Sequence, residues 1–158
     1  QCYAVGKAPL ILVLDHLTDV RNFGAIARTA ECAGVDAIVI PEKGSAQINS
    51  DAVKTSAGAL NFIPVARVKN LFYTCRDLQK MGLSLIAITE KTEKLMYEGD
   101  LASPVALIMG SEEDGISQEI MGMVDDRVKI PLAGSIESLN VSVSAGVAIY
   151  EAIRQRKK

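Results

Sequence analysis

The 158-residue chain has little of the material from which many functional sites are built. His16 is its only histidine, which argues against a histidine-based metal centre or a Ser-His-Asp triad. Cys2, Cys32 and Cys75 are odd in number, far apart and without a C-x-x-C pair, so neither a zinc site nor a disulfide framework is expected. No metal is therefore assigned, and the thiols read as reduced cysteines of a cytoplasmic protein. No apolar run approaches the roughly 18–20 residues needed to cross a bilayer, and no leader with a small-residue cleavage site is present. Neither membrane nor export is expected. Net charge is −2, so no global basic field advertises nucleic acid. Local basic groups remain: Arg21 with Arg28, Lys54, Arg67 with Lys69, and the terminal "RQRKK". G-x-G occurs nowhere, which removes the dinucleotide-binding fingerprint.

What is present is the composition of an ordinary globular domain, 49% apolar and 23% charged. Its length suits one domain with a real core. Continuous apolar runs at 10–15, 37–41, 83–90, 105–110 and 127–132 read as buried strands. Helical patterns separate them at 22–34, 51–60 and 71–82, and a last helix covers about 139–156. Asn22 is a plausible N-cap for the first helix, and Gly34 stands at its C-terminal stop. Strand–helix alternation predicts an α/β fold with a mainly parallel sheet flanked by helices, in one domain over 1–158.

"IMGSEEDGIS" (108–117) almost forms a phosphate-binding loop. Gly110 and Gly115 have the spacing, but Ile116 replaces the lysine, and Glu112, Glu113 and Asp114 lie between the glycines. Such a turn suits a ligand without phosphates, or a cationic one; otherwise it is a solvated strand-to-helix turn. In "TDVRNFGAIARTAECAG" (18–34), Ile26, Ala30 and Ala33 form a buried stripe with Arg28 opposite. Arg28 is either a solvated side chain or a phosphate or RNA contact. Gly24, Ala25 and Ala27 leave room for a close neighbour. In "IPLAGSIESLNVSVSAGVAIYEAIRQR" (130–156), Ser138 or Asn140 would cap the helix. Val141, Ala145, Ala148 and Ala152 share one face of that helix, while Val143, Val147 and Tyr150 lie roughly opposite. Two apolar faces need two partners, and a homodimer is the economical second.

Together these segments resemble the SpoU (TrmH-like) family of RNA ribose 2′-O-methyltransferases, within the SPOUT superfamily. "NFGAIARTA" looks like the first motif, with Asn22 and Arg28 at its polar positions; "MGSEEDGIS" looks like the second, through Gly110, Glu112 and Gly115. "IPLAGSIESLNVSVSAG" looks like the third, through Ile130, Pro131, Gly134, Glu137, Ser138, Leu139, Asn140 and Ser142. The resemblance covers about residues 10–156 in the right order.

It implies a C-terminal deep trefoil knot, which the general rule against knots would not suggest. It also implies S-adenosylmethionine as cofactor, RNA as substrate and a homodimer. By the resemblance, Gly110, Ile130 and Leu139 would hold the adenosyl group, with backbone of Thr89 nearby. Arg28 would act on the ribose 2′-hydroxyl. Because arginine stays protonated, stabilising an alkoxide and positioning the adjoining phosphate suits it better than proton abstraction. Glu112, Ser138 and Asn140 would orient Arg28, ribose and cofactor, and Asn22 would place its helix and contact substrate. "KTSAGALNFIPVARVKNL" looks closest to the branch acting on guanosine of 23S ribosomal RNA, whose members usually carry a small N-terminal RNA-binding domain, expected to be absent here. The alternatives are a tRNA guanosine 2′-O-methyltransferase, a non-catalytic RNA-binding module of the same fold, and a nucleotide-using α/β enzyme.

Overall fold

In the computed structural model, which describes residues 1–157, the apolar runs become strands buried on both faces. β1 (Leu10–Asp15) shows how. Its even residues Leu10, Leu12 and Leu14 enter one core with α1 (Val20–Ala33) and α5 (Val141–Arg156). Val13 points the other way, into a smaller core with α3 (Leu71–Lys80) and α4 (Gln118–Met121). Side chains alternate across a pleat, so one continuous run serves two layers. β5 (Val105–Gly110) divides likewise, with Val105, Leu107 and Met109 on the α1/α5 side and Ala106 and Ile108 on the other.

The remaining strands are β2 (Ala37–Pro41), β3 (Val65–Val68), β4 (Ser84–Ile88) and β6 (Asp126–Val128), and α2 spans Ser50–Thr55. The order across the sheet is β3-β2-β1-β5-β4-β6, and every pairing is parallel. The chain builds outward from β1 through β3, crosses over to β4, and then inserts β5 between β4 and β1. After β1 the chain turns into α1 on one face; after β5 it turns into α4 on the other. The carboxyl ends of β1 and β5 therefore flank a topological switch point, where open α/β sheets hold their ligands.

The α/β architecture agrees with the sequence pattern, while several boundaries differ. Asp19, not Asn22, caps α1: its carboxylate accepts from the Asn22 backbone N–H at 2.9 Å. Asn22 lies inside the first turn, where its side chain is free for another partner. The expected helix over 51–60 stops at Thr55 and resumes as a 3₁₀ turn at Ala59–Asn61, because Ala57 and Gly58 take left-handed backbone conformations. The run at 127–132 is a strand only to Val128; Lys129 still makes a parallel bridge to Leu95 before the chain leaves the sheet. β3, an edge strand with two exposed residues, lacks the apolar run that marks the others. Gly34 does end α1, at φ +82°.

Arg156 closes the fold from its far end. Its guanidinium donates to the carbonyls of Ala8 (2.6 Å), Pro9, Leu101 and Ser103 (each 3.1 Å), tying the end of α5 to the entries of β1 and β5. Arg154 pairs with the buried Glu151 at 2.6 Å. Two cations of "RQRKK" are thus occupied within the fold.

Candidate active site

The acidic glycine turn follows β5 directly. Gly115 donates its N–H back to Ser111 O at 2.9 Å, and Ser111 Oγ accepts from Asp114 N at 3.0 Å, so the turn folds onto itself. This closure explains both glycines. Gly115 has φ +65°, a conformation that costs any other residue except asparagine or aspartate. Gly110 lies underneath, where a Cβ would stand 2.1 Å from the Gly115 carbonyl carbon and 2.5 Å from Ile116 N. One glycine supplies a backbone angle; the other supplies space.

Beside the turn, at the carboxyl ends of β4 and β5, lies a cavity of about 350 Å³, the size class of a small-molecule pocket. Ile88 and Thr89 form one wall, Met109 to Ile116 another, and Ile130, Leu132 and Glu137 to Leu139 close it from the segment between β6 and α5. Thr89, Gly110, Ile130 and Leu139, expected around a cofactor, all line it, as do Glu112 and Ser138. Its charged lining comprises Glu90, Glu112, Glu113, Asp114 and Glu137 against Lys91 alone. Carboxylates in this number repel phosphate and favour a cation.

Asn22, Arg28 and Asn140 lie outside the cavity lining. Asn140 caps α5, its Oδ1 accepting from Ser142 N (2.9 Å), Val143 N (3.3 Å) and the Ser142 hydroxyl. Its Nδ2 donates to Asn22 Oδ1 at 3.2 Å, joining the first turns of α1 and α5. Glu112 adds a third link, its Oε1 accepting from Val141 N at 3.1 Å. The cavity wall, the start of α1 and the start of α5 are therefore one hydrogen-bonded unit. Arg28 is exposed and lies six residues beyond Asn22, about 9 Å along the helix axis. Among the described residues, neither Arg28 nor Arg21 forms a hydrogen bond or ion pair with a side chain, so both guanidinium groups face solvent unpaired.

Glu90, Lys91 and Ser144 line the cavity without having been singled out in the sequence. The signal for the first two was their position just past a strand's carboxyl end. Ser144 carried none beyond helical spacing from Asn140. The close approach inferred from the small residues of α1 is realised at Gly24, where a Cβ would stand 2.7 Å from the Ala52 carbonyl oxygen of α2.

Comparison with known proteins agrees with this geometry. The SpoU rRNA Methylase family profile matches residues 9–150. The chain is 48% identical over 153 residues to the 23S rRNA (guanosine-2′-O-)-methyltransferase RlmB of Xanthomonas axonopodis pv. citri, covering 97% of this chain and 61% of that protein. It is 43% identical over 150 residues to RlmB of Vibrio parahaemolyticus, covering 95% and 61%. The chain thus spans about three-fifths of the length of these relatives. Among solved structures, the Aquifex aeolicus protein (A. aeolicus TrmH/SpoU tRNA modifying enzyme) superposes with a TM-score of 0.86 at 31% identity, covering 96% of this chain and 77% of the other. The SpoU methyltransferase AviRb from Streptomyces viridochromogenes, in complex with the cofactor AdoMet, gives 0.85 at 28% identity, covering 94% and 61%. With the matched profile spanning all three motifs and the sheet they build upon, the chain belongs to the SpoU rRNA methylase family.

Proposed function

We propose that the chain is the catalytic domain of an enzyme that uses S-adenosylmethionine to methylate a ribose 2′-oxygen, on guanosine of 23S ribosomal RNA. The observation that carries this reading is the acidic cavity itself, in which the residues expected around the adenosyl group, Thr89, Gly110, Ile130 and Leu139, converge from four segments. The fit to the cofactor rests on chemistry. Its sulfonium and ammonium charges suit a lining of five carboxylates and one lysine, and Gly110 brings backbone to the cavity surface. AviRb was solved with this cofactor, and the RlmB relatives are named for this reaction on this RNA.

When bound, the cofactor supplies an electrophilic methyl group. The chain's own residues align the acceptor, since holding reactants in line removes much of the barrier. Asn22, fixed by Asn140, contacts the incoming nucleotide at the start of α1. Glu112 and Ser138 hold the cavity wall against α5 and orient ribose and cofactor. Arg28 carries a permanent positive charge to the nucleotide, binding its phosphate and stabilising negative charge that develops on the 2′-oxygen.

The segment 129–140 threads through the loop between β4 and β5 as a deep trefoil knot. Supporting this, Lys129 donates to Lys94 O and accepts from Met96 N, both on that loop, before the chain reaches the cavity and Asn140. A second copy of the chain covers the outer face of α5, where Val143 and Tyr150 are half exposed. RNA and a like subunit are thus the partners, and a cytoplasmic enzyme is the setting.

The test is incubation with methyl-labelled S-adenosylmethionine and, separately, unmethylated ribosomal RNA and tRNA, followed by mapping of the product. Label on a 2′-oxygen of large-subunit RNA, lost in Arg28→Ala, is the expected result. Label in tRNA alone overturns the substrate, and a wild-type rate in Arg28→Ala overturns the role of that residue.

A further inference from the structure

The mechanism above leaves one charged surface without a role. Lys69, Tyr73, Arg76 and Lys80 stand where β3 passes into α3 and along the outer side of that helix. The helical period puts positions 73, 76 and 80 on one side, away from the buried Leu71, Cys75 and Leu78. Lys43 joins them, because Glu42 N donates to Val68 O at 2.8 Å and sets the loop after β2 beside the end of β3. All five side chains are exposed, and among the described residues none of the four cations forms a hydrogen bond or ion pair. The carboxylates within this surface are those of Glu42 and Asp77. It is therefore positive, on a chain whose net charge is −2.

Its aromatic part is ordered in advance. Asn70 caps α3, its side chain accepting from Tyr73 N at 3.1 Å, which fixes the backbone beneath the ring. The Tyr73 ring, 51% exposed, meets the half-buried Phe72 edge-on, with centroids 5.6 Å apart. The Arg76 guanidinium lies over the same ring, 4.8 Å from its centroid. This contact holds the guanidinium in place while leaving its N–H donors unspent. Exposed rings and guanidinium planes are what unpaired bases stack on, and free cations beside them suit the intervening phosphates.

The position relative to the cavity supplies the occupant. In a parallel sheet all carboxyl ends point one way, so the start of α3 and the cavity share one edge of the sheet. β3 is separated from β5 by β2 and β1, three strand spacings or about 14 Å. The loop between them is preset: Ala46 N donates to Leu17 O at 2.7 Å, and Ala46 O accepts from Arg67 Nη2 at 3.1 Å. The cavity end of this edge is acidic and repels phosphate, whereas the β3 end is basic and attracts it. A polyanion whose target nucleotide reaches the cavity finds its favourable contacts toward β3.

Resting on the methyltransferase reading, we propose that the start of α3 is a second RNA-binding surface, which holds unpaired nucleotides flanking the methylated one. Tyr73 and Arg76 stack a base, and Lys43, Lys69 and Lys80 neutralise phosphates. The surface lies away from the reacting atoms, so it governs capture of the RNA and leaves the transfer step unchanged.

The test uses the enzyme at its full natural length with unmethylated 23S RNA, measuring equilibrium binding against salt and single-turnover methylation against RNA concentration. Tyr73→Ala should bind RNA about 10-fold more weakly with an unchanged salt dependence, and Tyr73→Trp should restore the affinity. Arg76→Gln should also weaken binding, and should lower the slope of log affinity against log salt by about 0.7. Each variant should methylate at the wild-type rate once RNA is saturating, and should bind S-adenosylmethionine as wild type does. Wild-type RNA affinity and salt slope in Tyr73→Ala and Arg76→Gln would overturn the proposal while leaving the methyltransferase reading intact. Wild-type RNA affinity with altered sedimentation would also overturn it, assigning the surface to a protein contact. So would a loss that Tyr73→Trp does not restore and that weakens S-adenosylmethionine binding equally, which marks a structural role. A wild-type enzyme that methylates no 2′-oxygen removes the underlying reading and the proposal with it.

Discussion

Substituting the two glycines of the acidic turn separates backbone angle from space. In Gly115→Ala the new methyl meets nothing within 4 Å, so the only cost is holding alanine at φ +65°, about 1–2 kcal/mol. In Gly110→Ala the methyl stands 2.1 Å from the Gly115 carbonyl carbon and 2.2 Å from its oxygen. Ordinary carbon contacts begin near 3.5 Å, so the turn must retreat by more than about 1 Å. These are backbone atoms, and the turn is closed by its own Ser111–Gly115 hydrogen bond, so no side chain can yield instead. The stability cost is on the order of 3 kcal/mol, the upper part of the overpacking range. For a domain of this size that lowers Tm by about 6–12 °C, against about 2–8 °C for Gly115→Ala. Displacing the wall also moves Glu112 away from Val141, and a shift of that size costs roughly 10²-fold in a positioned site. Thermal unfolding and calorimetric titration with S-adenosylmethionine read the two effects separately. Wild-type Tm and affinity in Gly110→Ala, or a larger loss in Gly115→Ala, would refute the reasoning.

Other outcomes follow from the same contacts. Asn140→Ala removes the α5 cap and should cost about 1 kcal/mol in urea unfolding. Asn140→Asp keeps the acceptors but cannot donate to Asn22, so it should unfold like wild type yet transfer methyl groups more slowly. Burial, with a smaller contribution from Asp15, pushes the Cys75 thiol up to about 11, so under native conditions a thiolate-directed reagent should modify the exposed Cys32 and spare Cys75 until the chain unfolds. At Asp36, burial acts to raise the carboxyl, but Lys7 and the Leu10 N–H outweigh it and hold the group below its ordinary value. A depressed folded-state value means that its stabilisation is present above the unfolded value of about 3.9 and is lost as pH falls through the folded one. The stability gap between wild type and Asp36→Asn in urea unfolding should therefore be full at pH 7 and shrink below about pH 4.

The central strands were legible in the sequence because burial on both faces forces an uninterrupted apolar run, as in "LILVLD" and "VALIMG". β3 was not legible, since an edge strand buries little and "VARV" carries no such mark. The N-cap of α1 was misplaced for a related reason: Asp19 and Asn22 are both good capping residues, and only the path of the chain from β1 decides between them. At the site, the four expected cofactor residues entered by resemblance to known motifs, and the cavity gathers them. Periodicity could not have done so, because Thr89, Gly110, Ile130 and Leu139 come from segments up to 50 residues apart whose meeting depends on strand order. The Asn22–Asn140 hydrogen bond spans 118 residues and is equally invisible to local pattern.

The claim on which the rest depends is that the glycine turn of 110–115 serves a cationic cofactor and rejects phosphate. Calorimetric titration of the protein with S-adenosylmethionine, S-adenosylhomocysteine and ATP tests it directly. Saturable one-to-one binding of the first two, weakened about 10²-fold in Gly110→Ala, with no heat from ATP, is the predicted result. Binding of ATP at the same site, or none of S-adenosylmethionine, would contradict it.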